Sequence, residues 1–227
     1  MEYRLQEDLE QLPDLLERTL DVAREYLEEL AERRPDRLFS GPEGRLPEAG
    51  LGAEGVLDLF VRTYAGHLIG SAGPRYFGYV TGGTTPAALM GDWLVSAYDQ
   101  LAASDVIIQV ERETLNMLRE LLRLPEAFRG AFTSGATVSE FIGLATARQW
   151  VAARRGVDTS RDGLYGLAPI RVFGASPHSS IYKALAMLGM GSRSLTEVAT
   201  LPGREAMDPS ALERELARLD GEPVIVV

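Results

Sequence analysis

The segment Thr133-Ser134-Gly135-Ala136-Thr137-Val138-Ser139 combines small side chains with hydroxyls just ahead of a helical stretch. Gly135 and Ala136 let a ligand approach the backbone, and Thr133, Ser134, Thr137 and Ser139 carry hydroxyls that can donate. The first N–H groups of a helix have no partner inside it, and the helix dipole favours negative charge at that end. These are the requirements of a phosphate site. An ordinary N-cap in a tight turn between a strand and a helix satisfies them equally, so the segment alone leaves both readings open. It is not a nucleotide P-loop, because GxxxxGK[ST] and its lysine are missing, and it is not GxGxxG.

His178 is one of two histidines and follows the predicted strand Ile170-Arg171-Val172-Phe173-Gly174 by four residues. Catalytic groups in open α/β sheets collect beyond the carboxyl ends of strands. An imidazole there can stack on an aromatic cofactor or move a proton; it can also simply cap a helix or lie buried. His67, inside an apolar helical stretch, is read as structural. Lys183 is the only lysine among 23 basic residues, so any chemistry that needs a lysine amine must use it or a lysine outside this chain. Five positions after His178, it does not readily share that residue's helical face. It reads as a surface or phosphate-side cation. No GxSxG elbow supports a serine hydrolase, and two isolated histidines give no metal-site spacing.

The elements that must position these groups begin with Leu5, Leu9, Leu12, Leu16, Leu20, Ala23, Leu27 and Leu30, recurring every three or four residues. This predicts an amphipathic helical segment bent near Pro13, packed on its own domain or on a partner subunit. Residues 35 to 55, with Pro35, Gly41, Pro42, Gly44, Pro47, Gly50, Gly52 and Gly55, read as a linker. A helix over 56–68 follows, then a Gly- and aromatic-rich loop over 73–83. Thr85 and Ser104 are predicted helix caps. From Gly130 the pattern alternates strand and helix. Strands are expected at 130–133, 170–174, 194–198 and 223–227, with helices opening at 135, 178 and 209, which implies a largely parallel sheet. Val224-Ile225-Val226-Val227 suits a central strand buried on both faces, and a chain stopping there is expected to be cut or to continue elsewhere.

The net charge of −10 argues against nucleic-acid binding. No apolar run approaches a membrane span, and residues 2–12 do not resemble a signal peptide. The expectation is a soluble, cytoplasmic protein. Without cysteine, disulfides and thiolate metal sites are excluded.

Together, in this order and spacing, the segments resemble the group II pyridoxal-phosphate-dependent amino-acid decarboxylases, the aromatic-amino-acid and glutamate decarboxylase family. Pro74-Arg75-Tyr76-Phe77-Gly78-Tyr79-Val80 resembles its early substrate-pocket loop. Gly91-Asp92-Trp93-Leu94 and Glu111-Arg112-Glu113-Thr114-Leu115 resemble its next helices. Gly130 to Arg148 is similar to its phosphate-cradle strand and helix, and Ser176-Pro177-His178-Ser179-Ser180-Ile181-Tyr182-Lys183-Ala184 to the block with its ring-stacking histidine.

The resemblance implies a fold-type I α/β large domain, in part, over 73–227, apparently truncated in a core strand, behind an N-terminal helical segment over 1–72. It implies pyridoxal 5'-phosphate bound by Ser134, Gly135, Ala136 and Thr137, with Ser139 beside them. His178 would stack on the ring and assist protonation after carbon dioxide is lost, while Tyr79 and Thr81 would border the amino-acid substrate, aromatic or acidic. The family forms homodimers with the site shared; a second chain supplying the other half would serve as well. Its aspartate for the pyridine nitrogen and its histidine-lysine pair have no counterpart here. Two alternatives stay open: a related carbon–carbon lyase, and a non-catalytic interaction or regulatory remnant.

Overall fold

The computed structural model describes residues 2–36, 39–41, 44, 46, 48–101 and 104–227, with side chains from Arg4 onward. Pro42 and Pro47 of the expected linker lie outside the described residues. The chain divides into two compact units, one up to Ile108 and one over Gln109–Val227.

In the first unit the leucine-rich stretch forms α1 (Glu2–Glu10) and α2 (Leu12–Glu29), separated at Gln11, with Pro13 in the first turn of α2. Proline fits there because that N–H has no helical partner. The helix expected from Val56 begins earlier, as α3 (Gly52–Thr63), and ends in a 3-10 turn at Ala65–His67. Arg18 of α2 joins α3 through Glu54 at 2.6 Å and Asp58 at 2.7 Å. Within this unit Leu5, Leu9, Leu12, Leu16, Leu20 and Leu27 stay between 41% and 61% exposed. Thr85 caps α4 (Pro86–Tyr98), its Oγ1 accepting from the Ala88 N–H at 3.3 Å. α5 (Asp105–Leu121) follows Ser104.

The second unit carries the sheet. It contains α6 (Ala136–Arg154), the short α7 (Thr159–Asp162), β1 (Val172–Gly174), α8 (Ser179–Met187), β2 (Leu195–Glu197), α9 (Pro209–Ala217) and β3 (Ile225–Val226). The strands are all parallel, in the order β2-β1-β3. Successive residues of a strand face opposite sides. Val172 therefore enters one core with Leu144, Val151, Ala184, Leu185 and Ile225, while Phe173 enters a second with Val198, Ala211 and Leu219. The chain crosses from β1 to β2 through α8 on the first face, then back past β1 to β3 through α9 on the second. Two right-handed crossovers in opposite directions require opposite faces.

Two strand expectations need correction. Residues 130–133 form no strand: they pair with none of the three strands, and Phe132 is 54% exposed. The stretch from Pro223 to Val227 is a strand only at Ile225–Val226, and it lies at an edge of the described sheet. The central, fully buried strand is β1. Among the described residues Ile225 packs inward while Val226 is 45% exposed.

Leu185 is fully buried between α6 and the sheet. Leu185→Ala is expected to cost about 2–5 kcal/mol, read as a lower urea midpoint at unchanged slope; a loss under about 1 kcal/mol would contradict this packing.

Candidate active site

The direction of α6 decides what can meet. At its C-terminal end, Arg155 donates to the Ala168 carbonyl at 2.8 Å and lies 3.6 Å from the Glu222 carboxylate. Ala168 precedes β1 and Glu222 precedes β3, so α6 ends at the edge where the strands begin. It therefore starts at their carboxyl edge. α8, joining parallel β1 to β2, must also run against the strands. Arg148, three turns into α6, donates to the carbonyl of Leu188 just past α8 at 2.8 Å, which places the end of α8 against α6, and both helices run against the strands. Gly135 and His178, the residues immediately before α6 and α8, thus share the carboxyl edge of the sheet.

At the α6 start no side chain caps the helix. The Gly135 carbonyl accepts from the N–H groups of Val138 and Ser139, each at 3.1 Å, and from Thr133 Oγ1 at 3.2 Å. The N–H groups of Ala136 and Thr137 have no partner among the described residues. Ser134, Ala136, Thr137 and Ser139 are exposed. A Cβ built on Gly135 would meet no atom within 4 Å, so the glycine does not admit another part of this chain. Uncapped donors in front of open space fit a phosphate.

His178 is itself the α8 N-cap. It is exposed, and its Nδ1 accepts from the Ser180 N–H at 3.3 Å, with Ser180 Oγ 2.5 Å away. Capping and ring stacking are compatible, because the cap uses one edge of the imidazole and leaves its face free. Lys183 is exposed on α8, and His67, also exposed, sits edge-on to Phe39 at 5.1 Å. Tyr79 and Thr81 belong to the first unit. Tyr79 is 92% exposed in a left-handed conformation (φ 56°) followed by Val80 in the same conformation, and Thr81 donates to the Gly78 carbonyl.

Sequence reasoning missed two groups at this edge. Ser180 binds the histidine; a serine two places after a capping residue was the available signal. Tyr182 donates to Glu197, at the end of β2, at 2.8 Å. Only the strand register, which pairs Glu197 with Gly174, brings those two elements together.

An open parallel sheet with an uncapped helix start and an exposed imidazole at its carboxyl edge is the arrangement in which α/β folds place their ligands. Comparison with known proteins makes the class specific. The pyridoxal-dependent decarboxylase conserved domain matches residues 49–227, and the chain belongs to that family. It is 32% identical over 190 residues to the L-2,4-diaminobutyrate decarboxylase of Rhizobium meliloti, covering 80% of this chain and 36% of that protein. It is 31% identical over 144 residues to that of Acinetobacter baumannii, covering 58% and 27%. The crystal structure of mouse CSAD superposes with a TM-score of 0.76 at 26% identity, over 95% of this chain and 47% of that one. The second unit is accordingly part of a fold-type I α/β domain. The chain spans about a third of these curated relatives and less than half of that structure. No described helix is long and apolar enough to cross a membrane.

The Tyr182 phenol is held above its ordinary range, first by its hydrogen bond to Glu197, then by burial and by the Glu197 charge. A raised value means the folded state favours the protonated phenol. That contribution is complete below the ordinary tyrosine range and is lost as pH rises through the raised value. Glu197→Gln is expected to shift the Tyr182 contribution to the alkaline phenolate absorbance toward lower pH, with Tyr182→Phe identifying it; an unchanged curve would show the pair is not formed.

Proposed function

We propose that this chain supplies the phosphate and ring contacts of a pyridoxal-phosphate-dependent L-amino-acid α-decarboxylase. The observation that carries the reading is the opening of α6 and α8 at one sheet edge, in a chain of this family. The Ala136 and Thr137 N–H groups, helped by the α6 dipole, hold the phosphate, with Ser134 and Gly135 shaping the approach. His178 lies against the ring and holds a proton at Nε2. When bound, pyridoxal phosphate supplies an electron sink for the bond that breaks as carbon dioxide leaves. The covalent lysine and the partner of the pyridine nitrogen are assigned to the part of the relatives' length that this chain does not span. Tyr79 and Thr81 border the substrate, and the site is completed in a homodimer whose subunit contact uses the exposed leucines of α1 and α2. Aromatic and acidic amino acids belong in the substrate test set. L-2,4-diaminobutyrate joins them because the Rhizobium meliloti and Acinetobacter baumannii relatives carry that name.

The test is a spectroscopic titration of the chain with pyridoxal phosphate, followed by borohydride reduction. Saturable binding without a covalent label is expected, and His178→Ala should weaken it roughly threefold to tenfold, the range of an aromatic stacking contact. A label on Lys183, or unchanged affinity in His178→Ala, would overturn the assignment.

A further inference from the structure

Ser180 is 4% exposed, although the histidine it binds is exposed. Its N–H and its Oγ both reach His178 Nδ1. A serine hydroxyl can donate or accept, but Ser180 Oγ is buried and has no other hydrogen-bond partner among the described residues, so accepting from an Nδ1–H would leave its own O–H without an acceptor, and donating to Nδ1 is favoured. The backbone N–H only donates. Nδ1 is therefore an acceptor, the Ser180 hydroxyl donates to it as well, and the neutral ring carries its proton on Nε2, across the ring from this contact.

We propose that Ser180 is a positioning residue that locks His178 as the Nε2-protonated tautomer, so that the imidazole offers a donor and never an acceptor to a ligand at the carboxyl edge. The hydroxyl is positioned for this by burial. Ser180 lies on the inward side of α8, where Ala184 is also fully buried four residues later, so the side chain is confined beside Nδ1. The complementary ligand atom is a hydrogen-bond acceptor. A role for His178 as a base at Nε2 is excluded while the ring is neutral. The functional meaning rests on the reading of His178 as a ring contact, whereas the lock itself does not.

The chain contains two histidines, so nitrogen-15 NMR of the imidazole rings resolves the question, with His67→Gln assigning the second set of signals. The unmodified chain should show His178 Nδ1 in the unprotonated range and Nε2 in the protonated range. Ser180→Ala, its amide spectrum confirming the fold, should lower the ratio of Nε2–H to Nδ1–H forms roughly fivefold, the effect of one neutral hydrogen bond. Ser180→Thr should restore it. An Nδ1–H ring in the unmodified chain, an unchanged ratio in Ser180→Ala, or a Ser180→Thr ratio as low as that of Ser180→Ala would overturn the proposal. The spectra are of the chain without cofactor. Their failure would leave the cofactor reading standing, and absence of pyridoxal phosphate binding would leave the lock standing.

Discussion

Parallel pairing is the constraint on which the second unit depends. β1 can pair with β2 and β3 in the same direction only if the chain returns between them, and the returning helices must run against the strands. Every such helix then starts at the carboxyl edge, where its unpaired N–H groups and the positive end of its dipole face outward. The site is a by-product of that topology. The two cores, around Val172 and Phe173, hold the helices on their faces, and Arg148 and Arg155 fix the direction of α6 through backbone carbonyls.

The two helix starts are finished differently, and the difference sorts their chemistry. α6 opens without a side-chain cap, so its first donors stay available to an external anion. α8 is capped by His178, which consumes one ring nitrogen and fixes the other as a donor. An uncapped end suits a phosphate, whereas a capped end built from an imidazole holds a ring in a defined orientation.

Much of this was legible in the sequence because the signals were local. Thr85-Pro86 and Asp208-Pro209 each announce a cap followed by a proline in the first turn, and both caps are present. The alternation of strands and helices after residue 170 gave the parallel sheet, and the small residues around Gly135 gave the open helix start. What failed was non-local. Whether residues 130–133 find a strand partner depends on neighbours that no local window contains. Tyr182 and Glu197 meet only through the register of β1 with β2. For the leucines of α1 and α2, periodicity announced an apolar face without saying what covers it.

Amide chemical-shift mapping with pyridoxal phosphate tests most directly whether the two helix starts serve one molecule. The account predicts that Gly135, Ala136, Thr137, His178 and Ser179 shift together with a single dissociation constant. Shifts confined to the surroundings of Lys183, or separate saturation of the two helix starts, would contradict it.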